Sequence, residues 1–154
     1  MKVMLLLSMT FISSCSLVQN VSDRATIPSR YPLGQDLAEV MQKPQSWGLS
    51  LQSFSVATSP SQTLAAIMVR CGEDCATMRH VENVLDGRRI TSKATVFLFH
   101  GINARKEQML GLCQWYVAAG FQCVVFDSRG HGDSSVARAT YGRREVGDFL
   151  RLMR

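Results

Sequence analysis

A chain of 154 residues with 46% hydrophobic residues is long enough for one modest domain with a real core. No run approaches the roughly 20 consecutive apolar residues that a membrane-spanning helix needs. The formal charge of +5 arises mostly beyond Gly87, but its basic residues are scattered and no aromatic residues are interleaved among them. That pattern describes a solvated surface and argues against nucleic acid as a partner.

Residues 1–15 read as a targeting segment, with Lys2 as a positive start and Val3 to Ile12 as an apolar stretch of signal-peptide length. Ile12-Ser13-Ser14-Cys15 resembles a bacterial lipoprotein box. The resemblance implies acylation of Cys15, a membrane partner reached through the lipid anchor, and a place in the bacterial cell envelope. An ordinary cleaved signal and a false start are the competing readings. Residues 16–33, rich in Ser, Asn, Arg and Pro, read as a flexible tether, and 34–154 as the folded core.

Leu37, Val40 and Met41 form a short helical stripe stopped by Pro44. Leu49, Leu51, Phe54 and Val56, then Leu64 to Val69 after a Thr58-Ser59-Pro60-Ser61 turn, predict an antiparallel strand pair. Cys71 and Cys75 bracket a polar loop and are candidates for a disulfide in an oxidising compartment. A metal site on Cys71, Cys75 and His80 is disfavoured, because the spacing is not a zinc knuckle and no second pair exists. Nothing else implies a metal or an organic cofactor. Val81, Val84 and Leu85 fit one helical turn and Asp86-Gly87 a tight turn, but residues 71–94 carry no clear pattern.

Val96 to Phe99 is an apolar run ended by His100-Gly101, expected as a strand buried on both faces. Met109, Leu112, Cys113, Tyr116 and Val117 share a helical face, with Asn103 as its cap, Glu107 at the positive end of the helix dipole and Gly120 as its stop. A second apolar run, Cys123 to Phe126, completes a βαβ unit whose strands should lie parallel. Cys113 and Cys123 are read as core residues. A final helix places Val146, Phe149, Leu150 and Met153 on one face and meets no stop signal before Arg154, which is the pattern of a chain cut short.

The loops carry the functional signal. Strand-His100-Gly101, helix, strand-Asp127-Ser128-Arg129-Gly130-His131-Gly132-Asp133-Ser134, and then Thr140-x-Gly142-x-x-Glu145-x-x-Asp148 resemble the first half of the α/β-hydrolase superfamily. The branch is the one with serine aminopeptidase-like and monoacylglycerol-lipase-like enzymes. The resemblance implies an incomplete α/β-hydrolase fold: an antiparallel strand pair leading into a parallel βαβ unit and a further helix. It places the Ile102 backbone N–H as an oxyanion donor, with His100 and Gly101 shaping its loop. Asp127, Arg129, Gly130, His131 and Gly132 fall on a structural loop near that site. A dinucleotide fingerprint at Gly130-x-Gly132 fails, since Ser135 stands where a third glycine is required.

No G-x-S-x-G occurs anywhere in the 154 residues, so no nucleophile elbow and no complete catalytic set is present. The chain therefore reads as the N-terminal fragment of a serine hydrolase for ester or amide bonds, inactive by itself. It would meet a small ester or peptide substrate only in company with the missing half. The alternative is a non-catalytic, lipid-anchored envelope interaction module built on the same partial fold.

Overall fold

The computed structural model describes residues 32–73, 94–135 and 138–154, together with Gln19, Val21 and Asp23. Of the segments predicted above, 1–15, the Cys75 side of the proposed disulfide, His80 and the turn at Asp86-Gly87 lie outside the described residues. Within 16–33, Gln19, Val21 and Asp23 are helical, and Asp23 Oδ1 meets Arg138 Nη1 at 2.7 Å.

Four strands form one mixed sheet: β1 (Leu49–Ser59), β2 (Gln62–Cys71), β3 (Thr95–Phe99) and β4 (Gln122–Phe126), in the order β1-β2-β4-β3. β1 and β2 are an antiparallel hairpin turning at Pro60-Ser61, as the sequence predicts, with a register shift between Ala57 and Ser59. β3 and β4 run parallel, Val96 opposite Cys123 and Phe99 opposite Phe126. β2 joins the two halves by pairing antiparallel with β4.

Helices cover both faces, which is why β4 is apolar at four successive positions. On one face Ile67, Val69, Cys123 and Val125 meet Val40 of α1 (Gln35–Gln42) and Leu110, Cys113 and Val117 of α2 (Leu110–Ala118). On the other, Leu64, Ala66, Val124 and Phe126 meet Phe149 and Leu152 of α3 (Glu145–Leu152). The Phe149 ring lies 5.2 Å from Phe97 and 5.0 Å from Phe99. Cys113 and Cys123 are buried free thiols of the core, as expected. No described helix is long and apolar enough to cross a membrane.

Three expectations need correction. β3, predicted to be buried on both faces, is only half-buried, and Phe99 is 54% exposed. The reason is position: β3 is an edge strand, paired on one side alone among the described residues. The buried stripe of α2 is Leu110, Cys113 and Val117, while Leu112 and Tyr116 face outward. A 3-10 turn at Lys106–Met109 precedes the helix and winds about 120° per residue instead of 100°, so a phase counted from Met109 drifts. On α3, Phe149 packs inward with Leu152, whereas Val146, Leu150 and Met153 are exposed. Asp148 decides this rotation, because its carboxylate turns inward to an arginine described below.

Candidate functional site

The turn after β3 and the loop after β4 lie side by side at the carboxyl ends of the two parallel strands. His100 is buried and bonded at both ring nitrogens. Its Nε2 accepts the Ser128 N–H at 3.0 Å, so the proton sits on Nδ1, which donates to the Gly101 carbonyl at 2.8 Å. The imidazole thus ties the start of the loop to the β4 exit.

Beyond His100, the Ala104 N–H closes a turn on the Gly101 carbonyl at 3.2 Å. The left-handed residue of this turn is Asn103 (φ 60°), not Gly101. Asn103 therefore shapes the loop; it is not the helix cap that the sequence predicts. Asn tolerates that conformation better than most residues with a Cβ. A Cβ on Gly101 would meet nothing within 4 Å, so what Gly101 contributes here is its carbonyl, which accepts two bonds. Ile102 is 68% exposed, and among the described residues its N–H has no acceptor.

Asp127 is the hub of the second loop and is wholly buried. Its Oδ1 accepts the Lys106 backbone N–H at 2.8 Å; Oδ2 accepts the Lys106 ammonium at 2.7 Å and the Asp133 N–H at 2.9 Å. The Ser134 hydroxyl donates to the Asp127 carbonyl at 2.6 Å and accepts the Ala65 N–H at 2.9 Å, which pins the loop on β2. Gly130 (φ 77°) and Gly132 (φ 44°) supply the left-handed turns, and the Asp127 carboxylate occupies the space where a Gly132 Cβ would stand.

Arg129 does not pair with Asp127. It makes a bidentate pair with Asp148 of α3, Nε to Oδ2 and Nη2 to Oδ1, each at 2.8 Å, and both side chains are buried. This explains the last acid of the Thr140–Asp148 motif. The rest of that motif closes on Glu145, whose carboxylate accepts from the Thr140 N–H (2.6 Å), the Thr140 hydroxyl (2.7 Å) and the Gly142 N–H (2.8 Å). Burial alone would raise the Glu145 carboxyl, but these donors outweigh it and bring it down to about 2.

That shift has a sign. The folded value lies below the ordinary 4.5, so Glu145 stabilises the fold fully above about pH 4.5 and loses this contribution as pH falls toward 2. Chemical denaturation at pH 5 and pH 3 should therefore show a smaller loss of stability for Glu145→Gln than for the parent chain. An equal loss in both would contradict the assignment.

His131, also buried, donates from Nδ1 to the Arg129 carbonyl at 3.2 Å, and its Nε2 has no partner among the described residues. Its ring centroid lies 4.8 Å from that of His100. Burial, with His100 as a neighbour, pushes its pKa down despite the Arg129 carbonyl.

The sequence did not disclose the buried charges opposite this loop. Glu107, which the sequence places at the positive end of a helix dipole, and the preceding Lys106 are 2% and 4% exposed. The Lys106 ammonium contacts Glu107 at 2.8 Å, Asp127 at 2.7 Å and Asp133 at 2.6 Å, and Arg105 reaches Glu107 and Asp133, each at 3.1 Å. Burial works against the charged ammonium, but hydrogen bonds to Asp127, Asp133 and Glu107 raise its pKa overall. Glu107, Asp127 and Asp133 come close enough to chelate a cation, yet the ammonium already stands among them. The signal would have been two basic residues just before an apolar helix, paired across 21 to 28 residues with the acids of the next loop. Cys71, at the end of β2, is disulfide-bonded.

The strand order, the parallel pair and the two loops at its carboxyl end are those of a known architecture. Residues 90–152 match the family model of serine aminopeptidases. Two crystal forms of an esterase from Pyrococcus furiosus superpose with TM-scores of 0.55 and 0.54 at 16% identity, covering 84% and 82% of this chain and 41% and 40% of theirs. An α/β hydrolase from Vibrio vulnificus superposes at 0.58 with 15% identity, over 89% of this chain and 42% of its own. The chain carries part of an α/β-hydrolase fold. It spans about two fifths of the length of those solved structures. No curated protein sequence matches it. Within the α/β-hydrolase frame, the His100-Gly101 turn and the Asp127–Ser134 loop are the elements at the mouth of the sheet.

Proposed function

We propose that the chain is the N-terminal portion of a serine hydrolase for ester or amide bonds, and that Ile102 supplies one oxyanion donor. The observation that carries this reading is the backbone N–H of the exposed residue Ile102, which has no acceptor among the described residues, in a loop whose two ends are both bonded to the β4 exit. A donor of that kind stabilises a tetrahedral transition state by about 2.7–4 kcal/mol. It acts only where a nucleophile and a base form the intermediate. The sequence holds no G-x-S-x-G, so these residues alone are inert. The edge position of β3 supports the same reading: a strand apolar on both faces calls for a neighbour on its open side. Anchoring through Cys15 to the envelope membrane belongs to this proposal as well.

The 154-residue product should hydrolyse p-nitrophenyl butyrate at the background rate. Turnover abolished by one Ser→Ala change within these residues would falsify the proposal. The reading frame beyond the Arg154 codon supplies a second check, since a G-x-S-x-G soon after it, in frame or frame-shifted, supports a hydrolase. For the anchor, incorporation of an alkyne fatty acid should disappear in Cys15→Ala. The exposed stripe Val146, Leu150 and Met153 favours a second reading, a lipid-tethered module that binds a protein through α3. Unrelated sequence and a clean stop after Arg154 would support that instead.

A further inference from the structure

The loop from Gly101 to Arg105 is anchored at both ends to residues at the exit of β4. His100 takes the Ser128 N–H, and Lys106 takes both carboxylate oxygens of Asp127. Between these anchors lie an exposed Ile102, a left-handed Asn103, a turn-closing backbone bond, and Arg105, which reaches Glu107 and Asp133. The placement of the two anchors limits the conformations open to such a span.

The downstream anchor is unusual in using one residue twice. The Lys106 N–H fixes the backbone on Oδ1, while the ammonium returns to Oδ2 and spends its other donors on Glu107 and Asp133. A backbone bond alone would leave the loop end free to pivot about it; the second attachment removes that pivot. Gly132 packs against the Asp127 carboxylate, where a side chain would displace it. The ammonium also neutralises a carboxylate that is fully buried.

We propose that Lys106 is the positioning residue of the His100–Lys106 loop, setting the conformation in which the Ile102 N–H is presented. It rests on the hydrolase reading only for what that N–H is used for. It does not touch the reacting atoms.

Hydrogen exchange followed by mass spectrometry, on the product of the native reading frame, separates positioning from general support. In Lys106→Met the amides of residues 100–109 should exchange about tenfold faster relative to those of 122–126 in β4. Lys106→Arg, which keeps the charge, should recover part of the difference. Asp133, 57% exposed by side chain, is a partner of both Lys106 and Arg105, so Asp133→Asn offers a variant that folds and loosens the same anchor. It should give a smaller increase of about threefold, again confined to 100–109. Acceleration spread evenly over both peptides, or unchanged exchange of 100–109 in both variants, overturns the proposal. Aryl-ester turnover by the same product is read separately and bears on the chemistry alone.

Discussion

Asp148→Ala should lower the folding free energy by about 3–5 kcal/mol, enough to unfold many domains of this size. The change leaves the Arg129 guanidinium, only 7% exposed, as a buried cation without its bidentate partner. It also frees α3 from the loop after β4, and with it the inward rotation that packs Phe149 and Leu152 on the sheet. Urea denaturation measures the cost. The double variant Arg129→Leu/Asp148→Leu should recover much of the loss, because replacing both charges removes the unpaired one. A cost below about 1 kcal/mol would show that the pair behaves as a surface ion pair and does not set the helix.

Gly132→Ala is the second large effect. The residue adopts φ 44°, and its missing side chain leaves the space that the Asp127 carboxylate fills. An added methyl must displace the hub that holds Lys106 and the Asp133 N–H, so about 3 kcal/mol or more is expected. Two glycines serve as controls. Gly142 has φ 99° but open space around it, so alanine there should cost only about 1–2 kcal/mol. Gly101 has neither constraint, and Gly101→Ala should stay within about 0.5 kcal/mol of the parent. Thermal melts of the three variants rank them. Equal effects would mean that the Asp127 contact is not what Gly132 serves.

Much of this architecture was legible because its signals are local. Alternation through Leu49, Leu51, Phe54 and Val56 marks a strand whichever partner it finds, and the Pro60-Ser61 turn marks the hairpin. The runs ending at His100 and Asp127 marked parallel strands with loops at their carboxyl ends. What escaped was set by partners distant in sequence. Lys106 reads as a solvated cation until Asp127 and Asp133 are brought to it. The face of α3 could not be phased from Val146 and Leu150, because Asp148 must reach Arg129, nineteen residues away. Asn103 looked like a helix cap, and only the 3-10 turn that follows reveals it as the left-handed residue of the loop.

The same distinction applies to the chemistry. His100, Gly132 and the Thr140–Asp148 motif now have structural explanations, and each concerns the holding of loops. None supplies a nucleophile. The most direct measurement of the central proposal is labelling with a fluorophosphonate probe, mapped by mass spectrometry. We expect no serine within residues 1–154 to be modified, whereas a modified serine there, lost on denaturation before labelling, would contradict the assignment of these residues as an oxyanion loop without its own nucleophile.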